Sequence, residues 1–174
     1  MIEKTFLHNV AHGEVDIVQI LLSLLEATGA DYCVIGGLAV NAYAEPVVSL
    51  DLDLVAIASH VPKLRMTAET RRMEVQELGQ QLILSISGSD LRIQIQTDPR
   101  YQEFLSRREK RNVLGYEMDV ASLEDVLMGK IWAWSDPARR KSKRQKDLAD
   151  ILRLIETHPE LRKRLPPSLQ DEVE

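Results

Sequence analysis

Apolar residues recur along the chain with two different periods, and the switches between them predict an order of helices and strands. Between residues 14 and 28, Val15, Val18, Leu21, Leu22 and Leu25 fall at helical spacing, and Gly29 follows as a stop signal. Residues 32–35 form a short apolar run that reads as a buried strand. Residues 38–44 read as a short helix, which Pro46 cannot continue. From 50 to 58 the period is two, with Leu50, Leu52 and Leu54 on one face and Asp51 and Asp53 on the other. Ser59 and Pro62 open a further helix to about residue 70. Residues 81–87 and 91–97, joined by Gly88-Ser89-Asp90, predict a β-hairpin. Its second strand turns Leu91, Ile93 and Ile95 to the core and Arg92, Gln94 and Gln96 away, as antiparallel strands with one polar face do. Its outer edge is expected to be open to pairing with a second copy.

The pattern turns helical for the rest of the chain. Residues 101–108 read as helix, and 116–120 as a short edge strand. Ser122 caps a helix to about 134, with Asp125 placed as the third residue of a capping box. Asp136-Pro137 interrupts, and a further helix covers 142–156. His158-Pro159 then gives way to a last helical turn, and Pro166-Pro167 begins a polar tail expected to fray. The sum is an α+β fold. Residues 1–120 make an α/β core, 121–165 a helical part packed on it in the same domain, and 166–174 the tail.

Composition narrows the setting. Hydrophobic residues make up 44% of the 174, enough for a substantial core, and the net charge of −5 argues against a general nucleic-acid coat protein. The single cysteine, Cys33, lies in an apolar strand, so no disulfide within the chain is expected and an intracellular setting is. No signal peptide is read at the N-terminus, and no apolar stretch approaches the roughly 20 residues that span a bilayer. A cytoplasmic protein with no membrane partner is therefore expected.

Four features carry candidate chemistry. Asp51 and Asp53 project from one strand face, about 7 Å apart at the backbone, where two carboxylates can converge on a hard divalent cation. Aspartate is disfavoured in strands, and two inside an apolar run are a local conflict of the sort functional sites show. Gly36-Gly37, fifteen residues ahead of Asp51, lets a backbone approach an anion closely. Lys130 falls within the apolar stripe of Leu123, Val126, Leu127, Ile131 and Trp134, so it needs a partner or an opening. Six basic residues lie between Arg139 and Lys146, and Asp147 after them shares the face of Ile151 and Leu154. A solvated helix face is the plain reading of that run; a triphosphate or an RNA backbone is the functional one.

Taken together, strand, Gly-Gly, helix and Ser49-x-Asp51-x-Asp53 resemble the DNA polymerase β-like nucleotidyltransferase superfamily. The later pattern Ala-Ser-Leu-Glu-Asp-Val-Leu-Met-Gly-Lys at 121–130, then Arg139-Arg140 and Lys146-Asp147-Leu-Ala-Asp150, is similar to its AbiEii toxin branch. The resemblance covers roughly residues 14–156. It implies a small mixed β-sheet flanked by helices with a helical C-terminal part. It also implies transfer of a nucleoside monophosphate from an NTP to an RNA (tRNA) or protein acceptor, and a cognate antitoxin as partner. By the same resemblance Gly36, Gly37, Ser49 and Lys146 would contact the nucleotide, and Asp51 and Asp53 would hold Mg²⁺ (or Mn²⁺). Asp51, Asp53, Lys130 and Asp147 would form the catalytic set. The chain departs from the pattern twice. The third carboxylate of the superfamily is replaced, with Gln94 and Gln96 at the matching strand, and Val47-Val48 stand where a basic residue often precedes Asp-x-Asp. An active transferase and a degenerate fold that binds nucleotide or a partner without turnover both remain open at this point. So does a structural α/β domain with an incidental acidic pair.

Overall fold

The computed structural model describes residues 15–173, and at their centre is a seven-stranded mixed sheet. Helix α1 (Ile17–Thr28) opens where the Asp16 carboxylate accepts a hydrogen bond from the Gln19 N–H at 3.0 Å. It closes at Gly29, which takes the left-handed conformation with φ 63°. Its buried face is Ile17, Val18, Leu21, Leu24 and Leu25; the helical period expected from residue 14 holds, with Leu24 rather than Leu22 most deeply buried. Residue 14 itself lies outside the described residues.

Strand β1 (Tyr32–Ile35) leads into the five-residue helix α2 (Gly36–Val40), and β2 (Asp51–Ala56) follows. A short 3₁₀ turn and α3 (Val61–Thr70) precede β3 (Glu74–Leu78), β4 (Gln81–Ser85) and β5 (Arg92–Gln96). A 3₁₀ segment (Pro99–Arg107) leads to β6 (Glu109–Val113) and β7 (Tyr116–Val120), then to α4 (Leu123–Ser135) and α5 (Lys141–Thr157). The last element is α6 (Pro167–Gln170). The strands lie in the order β3-β4-β5-β2-β1-β7-β6. Strand β2 is central, antiparallel to β1 and parallel to β5, with Asp51 opposite Arg92 and Asp53 opposite Gln94.

The strand alternation read from the sequence holds from Leu52 onward, whereas Leu50 precedes β2 and is exposed. Leu52, Leu54, Ile93 and Ile95 are at most 1% exposed, so one sheet face is core and the other is left to Asp51, Asp53 and Gln94. Three further expectations change. Strand β7 is not an edge: it runs parallel to β1 and is covered by β6. The 81–97 hairpin has no open edge either, because β5 pairs with β2 and β4 with β3. The true edges, β3 and β6, are rich in charge (Glu74, Glu77, Glu109, Lys110, Arg111), which discourages edge-to-edge pairing. Lastly, the segment expected to fray holds α6, and Leu165 and Leu169 are buried in the core. Among the described residues no helix is long and apolar enough to cross a membrane.

Candidate active site

The polar face of β2 meets the end of β1 at Ile35, opposite Asp53, and the chain turns there into Gly36. Gly36 has φ 71°, and a Cβ on it would lie 2.5 Å from Asp53 Oδ2. Glycine is therefore required twice, by conformation and by the nearness of the carboxylate. A Cβ on Gly37 would sit 3.9 Å from Asp150 Oδ2 and Ser49 Oγ, an ordinary contact. The expected outcome is that Gly36→Ala loses about 2 kcal/mol, roughly 4–8 °C in Tm, whereas Gly37→Ala melts near the unmodified protein. Equal melting of the two variants in a thermal scan would refute the asymmetry. Because α2 is only five residues long, its dipole is small; the glycine pair supplies mainly space.

Asp51 is already in contact with cations. Arg92 Nε and Nη2 donate to its Oδ1 at 3.3 Å, and Lys143 Nζ stands 3.7 Å from Oδ2. Ser49 Oγ bridges the Asp51 main chain, donating to its carbonyl at 3.1 Å and accepting from its N–H at 3.3 Å. Asp53 is deeper. Burial first, and then the charge of Asp51, push its carboxyl up to about 6, against the pull of Lys130, Arg139 and Lys143. The pair is thus held in mutual repulsion, and positive charge placed between the two carboxylates would relieve it.

Lys130 has the partners that its inward position demanded. Its Nζ lies 3.2 Å from Asp147 Oδ1 and 2.7 Å from Asp150 Oδ2. Asp147, with a side chain only 1% exposed, also receives Arg139 Nε at 2.6 Å and Nη2 at 3.3 Å. Both its oxygens are taken by cations, so its contacts support a positioning role. Asp150 continues the network: Arg153 Nη1 reaches its Oδ1 at 2.6 Å, and Arg153 Nη2 reaches Asn41 Oδ1 at 2.7 Å and the Glu45 carbonyl at 2.5 Å. The Asn41 side chain in turn brackets Val47, donating to its carbonyl and accepting from its N–H. A ladder of charges therefore ties α4 and α5 to the loop that delivers Asp51.

These parts surround a cleft of about 750 Å³. Gly36, Asp51, Asp53, Lys130 and Asp147 all line it, whereas Gly37 and Ser49 do not; Ser49 acts on the site only by holding the Asp51 main chain. Lys146 is not among the lining residues and is exposed; Arg139, Arg140 and Lys143 supply the cationic wall instead. Sequence reasoning also missed Asp150 as a partner of Lys130 and Arg92 as a partner of Asp51. The i+3 spacing of Asp150 from Asp147 was the signal that could have found the first. Gln94 sits beside Asp53 in the parallel register, and its side chain makes no hydrogen bond among the described residues. Gln96 is turned back, its Oε1 accepting from the Thr97 and Asp98 N–H groups at 3.0 and 3.1 Å. Asp98 caps the 3₁₀ segment and is bound by Arg100, whose hydrogen bond holds its carboxyl below the usual range, so it is not a spare acid. Among the described residues no three His, Cys, Asp or Glu side chains cluster as a metal site; the donor set is the Asp51–Asp53 pair with the Gln94 carbonyl alongside.

A mixed sheet whose central strand carries two carboxylates against a Gly-Gly turn, with a helical lysine nearby, defines the nucleotidyltransferase fold. Solved structures agree. The chain superposes on the antibiotic-resistance factor ANT(2″)-Ia with a TM-score of 0.57 at 15% identity, over 86% of this chain and 94% of that one. For the lincomycin-bound lincosamide antibiotic adenylyltransferase LnuA the TM-score is 0.52 at 15% identity, covering 77% and 93%. For an antigenic nucleotidyltransferase-like protein from Paracoccidioides brasiliensis it is 0.56 at 20% identity, covering 80% and 74%. Residues 60–172 match the family model of the nucleotidyl transferase AbiEii toxin, type IV toxin–antitoxin system, and the chain belongs to that family. A sequence search of curated proteins finds no match. The matched span contains Lys130, Asp147 and Asp150, while Asp51 and Asp53 lie before it.

Proposed function

We propose that the protein transfers a nucleoside monophosphate from an NTP to an RNA acceptor, as the toxin of a toxin–antitoxin or phage-defence pair acting in the cytoplasm under a cognate antitoxin. One observation carries this reading: Asp51 and Asp53 share one strand face against the Gly36 turn, in a cleft walled by Arg139, Arg140 and Lys143. Asp51 and Asp53 would hold Mg²⁺ or Mn²⁺, which at such sites is bound by one or two carboxylates plus substrate phosphates. Bound there, the metal would neutralise charge developing on the phosphate oxygens. The chain's own residues supply the rest. The glycine pair admits the triphosphate close to the backbone, and Lys143 and Arg140 offset its charge. Lys130, fixed by Asp147 and Asp150, holds positive potential at the cleft floor. Phosphoryl chemistry asks mostly for positioning and charge stabilisation, so glutamine at 94 is compatible with transfer. Its carbonyl can accept a hydrogen bond from the acceptor hydroxyl, though it cannot keep the proton.

That glutamine also motivates the second reading, nucleotide binding without turnover. With α-³²P-labelled NTP and Mg²⁺ or Mn²⁺, label is expected in RNase-sensitive material, and Asp51→Ala should lower the rate at least a hundredfold. A thermal shift with NTP but no transferred label would favour the binding module. Protease-sensitive label would assign a protein acceptor instead.

A further inference from the structure

We infer that the wall formed by Arg100, Trp132 and Gln96 is a seat for the 3′-terminal nucleoside of a single-stranded RNA, the base stacking on the Arg100 guanidinium and its edge meeting the Gln96 amide. This deepens the reading above and rests on it for the nature of the acceptor. Arg100 has a side chain 60% exposed, yet it is not loose. Its Nε and Nη2 both reach Asp98 Oδ2, at 3.0 and 2.9 Å, and its Cζ lies 5.2 Å over the Trp132 ring. Trp132 is itself stacked on Phe104 (5.6 Å between centroids, 14° between planes) and meets Tyr101 edge-on. The cleft therefore presents a planar cation, locked in place and backed by an aromatic stack. Such shelves accept nucleobases of unpaired strands.

Gln96 adds direction. Because Oε1 is committed to the Thr97 and Asp98 N–H groups, the amide nitrogen with its two donors is the end left for a ligand. Gln81, its antiparallel partner, lines the cleft as well. Two residues earlier on the same strand face, Gln94 stands beside Asp53, so the row of amides leads from the reacting carboxylates to the shelf over about 7 Å. Arg92 and Arg100 line this wall, each paired with a carboxylate, Asp51 and Asp98, so it offers planar stacking and amide donors rather than a net charge. The carboxylates around it accept hydrogen bonds, Asp98 from Arg100, Asp125 from Arg107 and Asp136 from the Ala138 N–H. The glycine turn and Lys143 lie with Asp51, where the triphosphate is placed, which leaves this wall to the acceptor.

The test needs no turnover. Two short single-stranded RNAs, one with an intact 3′-terminal nucleoside and one abasic there, are titrated in fluorescence anisotropy without NTP. The unmodified protein should bind the intact RNA on the order of tenfold tighter. Arg100→Ala should erase that preference while leaving the abasic RNA nearly unchanged. Gln96→Glu keeps the oxygen that holds Thr97 and Asp98 but removes the donors, and should weaken the intact RNA several-fold. Affinity for a non-hydrolysable NTP should be unaffected by either change. No discrimination between the two RNAs, no RNA binding at all, or an Arg100→Ala loss confined to NTP would each overturn the inference. Absent label transfer with the base preference intact would instead count against the transferase reading alone.

Discussion

Asp53→Asn is expected to abolish transfer and at the same time to make the protein more stable at pH 8. The Asp53 carboxyl titrates near 6 in the folded chain against 3.8 ordinarily, because burial and Asp51 disfavour its charge. Between those two values the folded state holds a proton that the unfolded state releases. Stability from this group therefore falls as pH rises from about 4 to 6, and the penalty is fully present above that. Two units correspond to about 3 kcal/mol at most. Asparagine fills the same space without charge, so the variant should gain about 2 kcal/mol at pH 8, roughly 4–8 °C in Tm. The difference between the two proteins should shrink to nothing below pH 4. Melting curves across that range decide the matter, and a variant that is less stable at pH 8 would give Asp53 a structural role. Excess Mg²⁺ with NTP should raise the Tm of the unmodified protein and leave the variant where it was, as a ligand bound through that carboxylate requires.

The second large effect is an asymmetry within the buried charges. Asp147→Ala strands Arg139 without its bidentate partner and leaves Lys130 to Asp150 alone, in a place where Asp147 is 1% exposed. Breaking a buried pair from one side costs about 3–5 kcal/mol. Lys130→Met is milder, because Asp147 keeps Arg139 and Asp150 keeps Arg153. About 1–2 kcal/mol is expected there. Urea denaturation midpoints at constant m-value measure both. Equal losses would mean that Asp147 is not the hub its contacts describe.

How much of this was legible in the chain depends on whether a residue obeys one period or sits between two. The Asp51–Asp53 pair stood out because strand alternation was strong around it and aspartate conflicts with that setting. The glycine pair was visible as a turn, although the need for glycine at 36 arises from Asp53 Oδ2, which no local pattern reveals. Strands β3 and β6 were missed because edges solvated on both sides lack apolar alternation. Lys146 was read as the nucleotide contact from a run with six basic residues in eight positions, where charge alone cannot set the phase. The buried face of α5 sets it: Lys143 lies about 40° from Asp147 around the helix and Lys146 about 100°. The partnership of Arg100 with Trp132 joins a 3₁₀ segment to a distant helix, and only the assembled fold brings them together.

Arg153 reaches back 108 positions to the carbonyl of Glu45, in the loop that delivers Asp51. During synthesis both carboxylates leave the ribosome long before the cation that pins their loop, and before the lysines of α4 and α5 and the arginines between those helices that line the cleft. A nascent chain thus carries the acidic pair without an organised cleft around it. The cleft is therefore completed only when the C-terminal helices pack against the strands that were made first.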